Sequence, residues 1–190
     1  MNLVQGNISI RNARPSDAEQ LCIWWNDGII MAHAGFPNGL NEQPEKIRER
    51  ITKNRDETGR IHIIENNGIP IGEMNYRNKG DGVAEIGIKI CDFTQQERGL
   101  GTNLLAMFID ALFLYYGYNK IILDTNVKNK RAQHVYENKL GFKRVQVREN
   151  SWTDQLGEPQ SAIDYELTKA DWQSRFNKPQ NYLHLRQERP

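Results

Sequence analysis

Apolar and polar residues alternate through Ile8, Ser9, Ile10 and Arg11, which predicts a short strand near the start of the chain. The period then lengthens. Ser16 stands at an N-cap with Glu19 three residues on, and Ala18, Leu21, Cys22 and Trp25 fall at i, i+3, i+4 and i+7, one face of a helix ending near Asn26 to Gly28. Gly35, Pro37 and Gly39 mark a loop, and Gln43 to Thr58 reads as a second, charged helix carried by Ile47 and Ile51. From Arg60 the pattern becomes that of strands: RIHIIE, the turn NNG, IPIGEMNYR, the turn KGDG and VAEIGIKICDF form an antiparallel meander. A helix from about Gly101 to Tyr116 is stopped by Gly117. A strand KIILDTNV and a helix from about Lys130 to Leu140, stopped by Gly141, follow it. Phe142 to Arg148 and Ala162 to Leu167 are two further strands around the polar loop NSWTDQLGEPQ. The order predicts an α+β fold with a mixed sheet, an antiparallel first half and a strand-helix-strand crossover. One domain is expected over 1–168, followed by a polar tail, 169–190, with room for a short helix around Trp172.

Charge removes several classes of function. Among 190 residues, 25 basic and 24 acidic side chains leave a formal charge of +1, so the summed field that attracts nucleic acid or an anionic membrane is missing. The apolar run LLAMFIDALFLYY contains Asp110 and falls short of the roughly 20 residues that span a bilayer. The first residues lack a basic start followed by an apolar core, so a cytoplasmic location is expected. Cys22 and Cys91 are too few to brace a fold and read as reduced thiols. His33, His62, His134 and His184 show no metal-ligand spacing, and no metal is expected.

The chemistry concentrates in QQERGLGTNLL, between a strong strand and a strong apolar helix. Gly99 and Gly101 let the backbone turn tightly and approach a ligand, and the unpaired amides of the first helical turn suit a phosphate or pyrophosphate. Glycines that merely make a strand-to-helix turn are the alternative. Gly101 is followed directly by Thr102 with no lysine, which excludes a Walker loop, and Leu104 stands where a dinucleotide fingerprint needs glycine. About thirty residues on, NKRAQHVYENKLGF places Asn129, Ala132, Tyr136 and Leu140 at helical offsets of three, seven and eleven, so that an amide and a phenol share one face.

These two stretches resemble the two signatures of the GNAT superfamily of N-acetyltransferases: Q/R-x-x-G-x-G/A, carried by Gln96, Gly99 and Gly101, and N-x-x-A-x-x-x-Y-x-x-x-G-F, carried by Asn129, Ala132, Tyr136, Gly141 and Phe142. The resemblance runs from about Ile8 to Leu167. It implies a mixed, strongly twisted sheet flanked by helices, whose fourth and fifth strands splay apart to admit the pantetheine arm of acetyl-CoA between VAEIGIKICDF and KIILDTNV. It also implies that Gln96, Glu97, Arg98, Gly99, Leu100, Gly101 and Thr102 hold the pyrophosphate, with Asn129 and Ala132 in the cofactor site. A main-chain amide near Ile90 would bond the thioester oxygen.

Amide formation from a thioester needs a neutral amine, a stabilised oxyanion and an exit for the thiolate. Tyr136, with a reference pKa of about 10, stays protonated at neutral pH and is the expected catalytic acid. Glu85, alternating with Ile86 and Ile88, is the expected base, with Glu73 the other candidate; a solvated or ion-paired carboxylate is the plain alternative for each. Cys91 has no local histidine, so direct transfer is expected rather than an acyl-cysteine. In similar proteins the acceptor cleft is lined by the segments corresponding to WWNDGIIMAHAGFPNGLNE and NSWTDQLGEPQ, which makes Trp25, Asp27, Trp152 and Asp154 the expected substrate-binding residues. Carboxylates beside aromatic faces suit a small cationic amine, polyamine-like or aminosugar; solubilising acids and core tryptophans are the competing reading. A protein N-terminal acetyltransferase and a non-catalytic acetyl-CoA-binding module stand as alternatives, and a homodimer is left open.

Overall fold

The computed structural model describes residues 1–95, 99–176 and 183–184. In chain order the elements are β1 (Asn2–Gln5), β2 (Ile8–Asn12), α1 (Ala18–Asn26), α2 (Gly28–Met31), α3 (Pro44–Lys53), β3 (Gly59–Asn66), β4 (Ile69–Asn78) and β5 (Val83–Ile90). They continue with α4 (Leu100–Leu114), β6 (Lys120–Asn126), α5 (Lys130–His134), β7 (Lys143–Thr153), β8 (Pro159–Thr168), α6 (Lys169–Arg175) and β9 (Leu183–His184). Two compact units are built from them. The first comprises Met1–Ala13, Asn54–Ile121 and Leu167–Pro190, the second Arg14–Lys53 and Ile122–Glu166.

In the first unit the strands run in the order β5-β4-β3-β2-β1-β9. Successive pairs are antiparallel, as the meander predicts. Asn67 and Gly68, at φ +51° and +76°, make the tight turn between β3 and β4. One face of this sheet, with His62, Ile64, Met74, Tyr76, Ala84 and Ile86, is buried, and its aromatic centre packs on Phe108 of α4. Every α4 residue from Leu104 to Phe113 is buried, which is why this helix is apolar all round. Asp110 within it accepts a hydrogen bond from the indole N–H of Trp172, itself 2% exposed on α6.

In the second unit the strand order is β7-β8-β6, with β7 and β8 antiparallel and bulged at Val145 and between Arg148 and Trp152. Arg148 ties the strands by bonding Asp164 and Asp124 at 2.8 and 2.7 Å. α1 buries Ala18, Leu21, Trp24 and Trp25.

Several boundaries differ from expectation. A strand β1 precedes Ile8 and pairs with β2 across the turn at Gly6. The cap before α1 is Asp17, whose carboxylate accepts from the Arg14 amide at 2.6 Å, rather than Ser16. α3 stops at Lys53 because residues 55–59 close a turn with the Gly59 amide on the Arg55 carbonyl. Part of the stretch read as loop after α1 is helical, with Asp27 capping α2. β7 and β8 reach to Thr153 and back from Pro159, so the hairpin tip is only residues 154–158.

Candidate active site

α4 begins on Gly99, whose φ of +74° and ψ of −1° are left-handed, a conformation glycine adopts without strain. Among the described residues a Cβ there would meet nothing within 4 Å, which leaves open space beside the turn. The amides of Thr102 and Asn103 both turn back to the Gly99 carbonyl, at 3.1 and 3.3 Å, and among the described residues no side chain caps the helix. The positive end of a 15-residue helix is therefore available to an anion, and Gly99, Leu100, Gly101 and Thr102 fit a pyrophosphate at this turn. A Cβ on Gly101 would sit 3.5 Å from Cδ1 of Ile90, so the start of the helix lies against the end of β5. Gln96, Glu97 and Arg98, the other residues expected here, lie outside the described residues.

The end of β5 is irregular in a way that alternation alone does not reveal. Ile90 pairs with Gly72, but the amides of Cys91 and Asp92 then both donate to the Ile71 carbonyl, at 2.8 and 3.0 Å. Two residues thus face one, the pattern of a bulge. Gly72 permits this close approach, because a Cβ there would lie 2.3 Å from the Lys89 carbonyl oxygen. Cys91 is buried beside the bulge with its thiol 3.8 Å from that same carbonyl. Glu73, opposite Lys89, has a side chain 3% exposed and accepts from Lys89 Nζ at 3.1 Å. Glu85 lies at the other end of β5, near the turn to β4, and pairs with Lys79 at 3.4 Å and Arg77 at 4.0 Å.

In the second unit the Asn129 side chain caps α5 by accepting from the Ala132 amide at 3.1 Å. The helix then widens: Val135–Leu140 is a π-helical turn, in which the Tyr136 carbonyl accepts from the amides of Gly141 and Phe142. Asn129, Ala132, Tyr136 and Leu140 therefore do not follow one uniform α-helical face, since the extra residue in the turn rotates the last two. Such turns recur at functional sites. Tyr136 is buried, with its ring centroid 5.8 Å from Phe142 and 5.6 Å from Tyr165. Burial first, and then the charges of Asp124 and Tyr165, push its hydroxyl up to about 12. Tyr165 is held by donating to Glu137 at 2.7 Å, and Arg144 bonds the same carboxylate oxygen.

Wholly within this unit lies a cavity of about 170 Å³ whose lining includes Gly35, Lys128, Asn129, Trp152, Asp154 and Gln160. Its polar side chains form a relay. Asn126 and Lys128 donate to Gln160 Oε1 at 2.9 and 3.2 Å, and Gln160 Nε2 donates to Asp154 Oδ2 at 2.7 Å. Asp154 Oδ1 accepts from the amides of Leu156 and Glu158; these bonds, the Glu158 one foremost, hold its carboxyl below the usual range and keep it ionised. Trp152 lies over Gly35, where a Cβ would come within 2.1 Å of the indole ring. Gln155 fastens the hairpin tip to the segment after α2. Its amide donates to the Gly35 carbonyl at 3.0 Å, its Nε2 to the Gly39 carbonyl at 2.8 Å, and its Oε1 accepts from the Asn38 amide at 2.9 Å.

The expected substrate residues therefore divide. Trp152 and Asp154 share the cavity with Asn129, whereas neither Trp25 nor Asp27 lines it. Asp27 Oδ1 caps α2 through Ile29 at 2.8 Å, and Trp25 is buried with the Arg50 guanidinium 5.2 Å from its ring centroid. Gly35, Lys128 and Gln160 line the cavity and Gln155 fastens the hairpin beside it, and the sequence did not single out any of the four. Gly35, Gln155 and Gln160 fell in segments assigned to the cleft, but no spacing distinguishes them before the hairpin pairs.

The site can be compared with known proteins. The chain resembles a spermidine N-acetyltransferase from Vibrio cholerae solved with CoA and spermine, at 21% identity and a TM-score of 0.78, covering 88% of this chain and 99% of that one. It likewise resembles an acetyltransferase of the GNAT family from Streptococcus pneumoniae, with 19% identity, a TM-score of 0.72 and coverage of 85% and 99%. A Bacillus anthracis acetyltransferase of the same family matches at 18% identity and a TM-score of 0.72, covering 90% and 99%. At such identities these likenesses show the mixed α/β fold alone. The sequence model described as acetyltransferase (GNAT) domain matches residues 7–143, a span that holds both the glycine turn before α4 and the Asn129 to Phe142 segment. With most of its length matched by that model, the chain belongs to the GNAT acetyltransferase family and is an acetyl-CoA-dependent N-acetyltransferase.

Proposed function

We propose that this enzyme transfers the acetyl group directly to the primary amine of a small cationic acceptor, polyamine-like or an aminosugar. The observation that carries the reading is that Asn129, expected at the donor, lines one cavity with Trp152 and Asp154, expected at the acceptor. An ionised carboxylate beside an indole face suits an ammonium group. One structural relative is named as a spermidine N-acetyltransferase in complex with spermine, which supports the same acceptor class. Within that class the exposed Lys128 in the cavity favours an aminosugar, whose hydroxyl oxygens accept hydrogen bonds, over a simple polyamine.

Acetyl-CoA supplies the activated thioester. In this reading the first turn of α4 from Gly99 holds its pyrophosphate, and a main-chain amide at the bulged end of β5, near Ile90, donates to the thioester oxygen as negative charge develops there. Tyr136 donates a hydrogen bond to the departing sulfur. With its pKa at about 12, complete proton transfer to a thiolate of pKa ~8.5 is uphill, so the phenol acts mainly by stabilising the thiolate until a proton arrives. A panel of polyamines, aminosugars and peptides with free N-termini, assayed for acetylated product, tests the acceptor. Acetylation confined to the peptides would replace the small-amine reading with that of an N-terminal acetyltransferase.

A further inference from the structure

We propose that Glu73, rather than Glu85, takes the proton from the acceptor amine, with Lys89 as its ion-pair partner at 3.1 Å. The proposal rests on the acetyl-transfer reading above, which places the thioester oxygen at the bulged end of β5. Distance along the sheet separates the two carboxylates. Glu85 stands five residues before Ile90, roughly 17 Å at the rise of an extended strand, and is already engaged by Lys79 and Arg77. No side chain of that size bridges such a gap, even with one water. Glu73 is opposite Lys89 and one residue from Gly72, the partner of Ile90. It therefore lies two residues along β4 from Ile71, on whose carbonyl the Cys91 and Asp92 amides converge.

Burial sharpens the choice. A carboxylate only 3% exposed is costly to keep unless it is paired, and Lys89 Nζ at 3.1 Å supplies a compensating charge. The Lys89 side chain is itself 30% exposed, so the pair reaches from the strand interior toward an accessible surface. Glu73 thus already holds one ammonium group, and its carboxylate suits a second, transient one.

The proton balance is simple. The acceptor R–NH₃⁺ gives one proton to the Glu73 carboxylate, directly or through a water, and the freed lone pair forms the N–C bond at the thioester carbonyl. The C–S bond breaks with its electron pair on sulfur. The second proton lost by nitrogen ends on the thiol, while Glu73 returns the first to solvent.

The test compares wild type, Glu73→Gln and Glu85→Gln with an alkylamine acceptor from about pH 7 to about pH 10. Glu73→Gln should lose ~10²-fold in kcat/KM at about pH 7. The gap should close toward pH ~10, where the amine is neutral without help. An acceptor amine with a pKa below the assay pH should be acetylated by Glu73→Gln at close to the wild-type rate. A merely structural role would produce a loss that depends on neither pH nor amine. That result, or a larger low-pH loss in Glu85→Gln, would overturn the proposal. A wild type that acetylates no amine would defeat the acetyl-transfer reading itself, whereas wild-type turnover with undiminished Glu73→Gln defeats only the role of Glu73.

Discussion

His62 is fully buried in the first unit, and its ring nitrogens face the Met74 and Arg60 backbone without a well-formed hydrogen bond among the described residues. Its ring lies 5.1 Å from Phe108 and 5.7 Å from Tyr76. Burial above all, then the positive charges of the chain terminus and Arg60, lower its pKa from 6.5 to about 3. The folded state thus binds this proton less readily than the unfolded one, so the neutral ring's contribution is complete above about pH 6.5 and is lost as pH falls toward 3. The slope is at most ~1.4 kcal/mol per pH unit. His62→Leu should flatten this dependence and raise the melting temperature at about pH 5, because an unpaired buried polar group costs ~1–3 kcal/mol. Denaturant melts at about pH 5 and about pH 8 check it, and an unchanged slope in the variant would assign the acid sensitivity elsewhere. Tyr136 makes a different prediction, about chemistry. Tyr136→Phe removes one hydroxyl from a buried, well-packed ring and should lower kcat by ~10²-fold while leaving the KM for acetyl-CoA within a few-fold. Full turnover at saturating substrate would mean that another group receives the thiolate.

Elements set how the cavity is built. The hairpin of β7 and β8 meets the segment after α2 through Gln155 and through Trp152 lying on Gly35. Gly35 has φ of +90°, and Gly35→Ala would drive a methyl group into the indole. The acceptor KM should rise at least several-fold with the acetyl-CoA KM unchanged; steady-state kinetics with each substrate varied measures both, and an unaltered acceptor KM would remove Trp152 from the acceptor site. These contacts also show what a sequence can reveal. The meander, its Asn67–Gly68 turn and the glycine start of α4 were legible because period and turn chemistry are local. The start of α5 at Lys130 was legible for the same reason. The π-helical turn at Val135–Leu140 was not, because VYENKL has ordinary helix formers and the widening is closed by two amides beyond the helix, those of Gly141 and Phe142. Nor were the local contacts of Asp27 and Trp25. Asp27 is spent on a cap two residues away and Trp25 on packing, and both outcomes depend on elements that spacing does not show. The bulge at Ile71 likewise exists only once β4 and β5 pair.

At the scale of the molecule, ligand binding and turnover report on the whole chain. Coenzyme A should raise the melting temperature, since a ligand that binds only the native state stabilises it, by about 2.7 kcal/mol at a hundredfold excess over Kd. Gly99→Val should abolish that shift, because a β-branched residue resists φ of +74° and its side chain enters the open space beside the turn. A shift of the same size in the variant would move the pyrophosphate away from this helix. Among the described residues no helix is long and apolar enough to cross a membrane, and the formal charge of +1 gives no long-range field to steer a polyanion. In the proposed reading, selection of the acceptor falls to short-range groups such as Asp154, Trp152 and Lys128. The most direct measurement is the release of free thiol from acetyl-CoA with small amines present, matched against acetylated amine by mass spectrometry. The account predicts one acetylated small amine for each thiol released, and saturation in the amine. Coenzyme A binding with no amine-dependent thiol release, across polyamines and aminosugars alike, would contradict it.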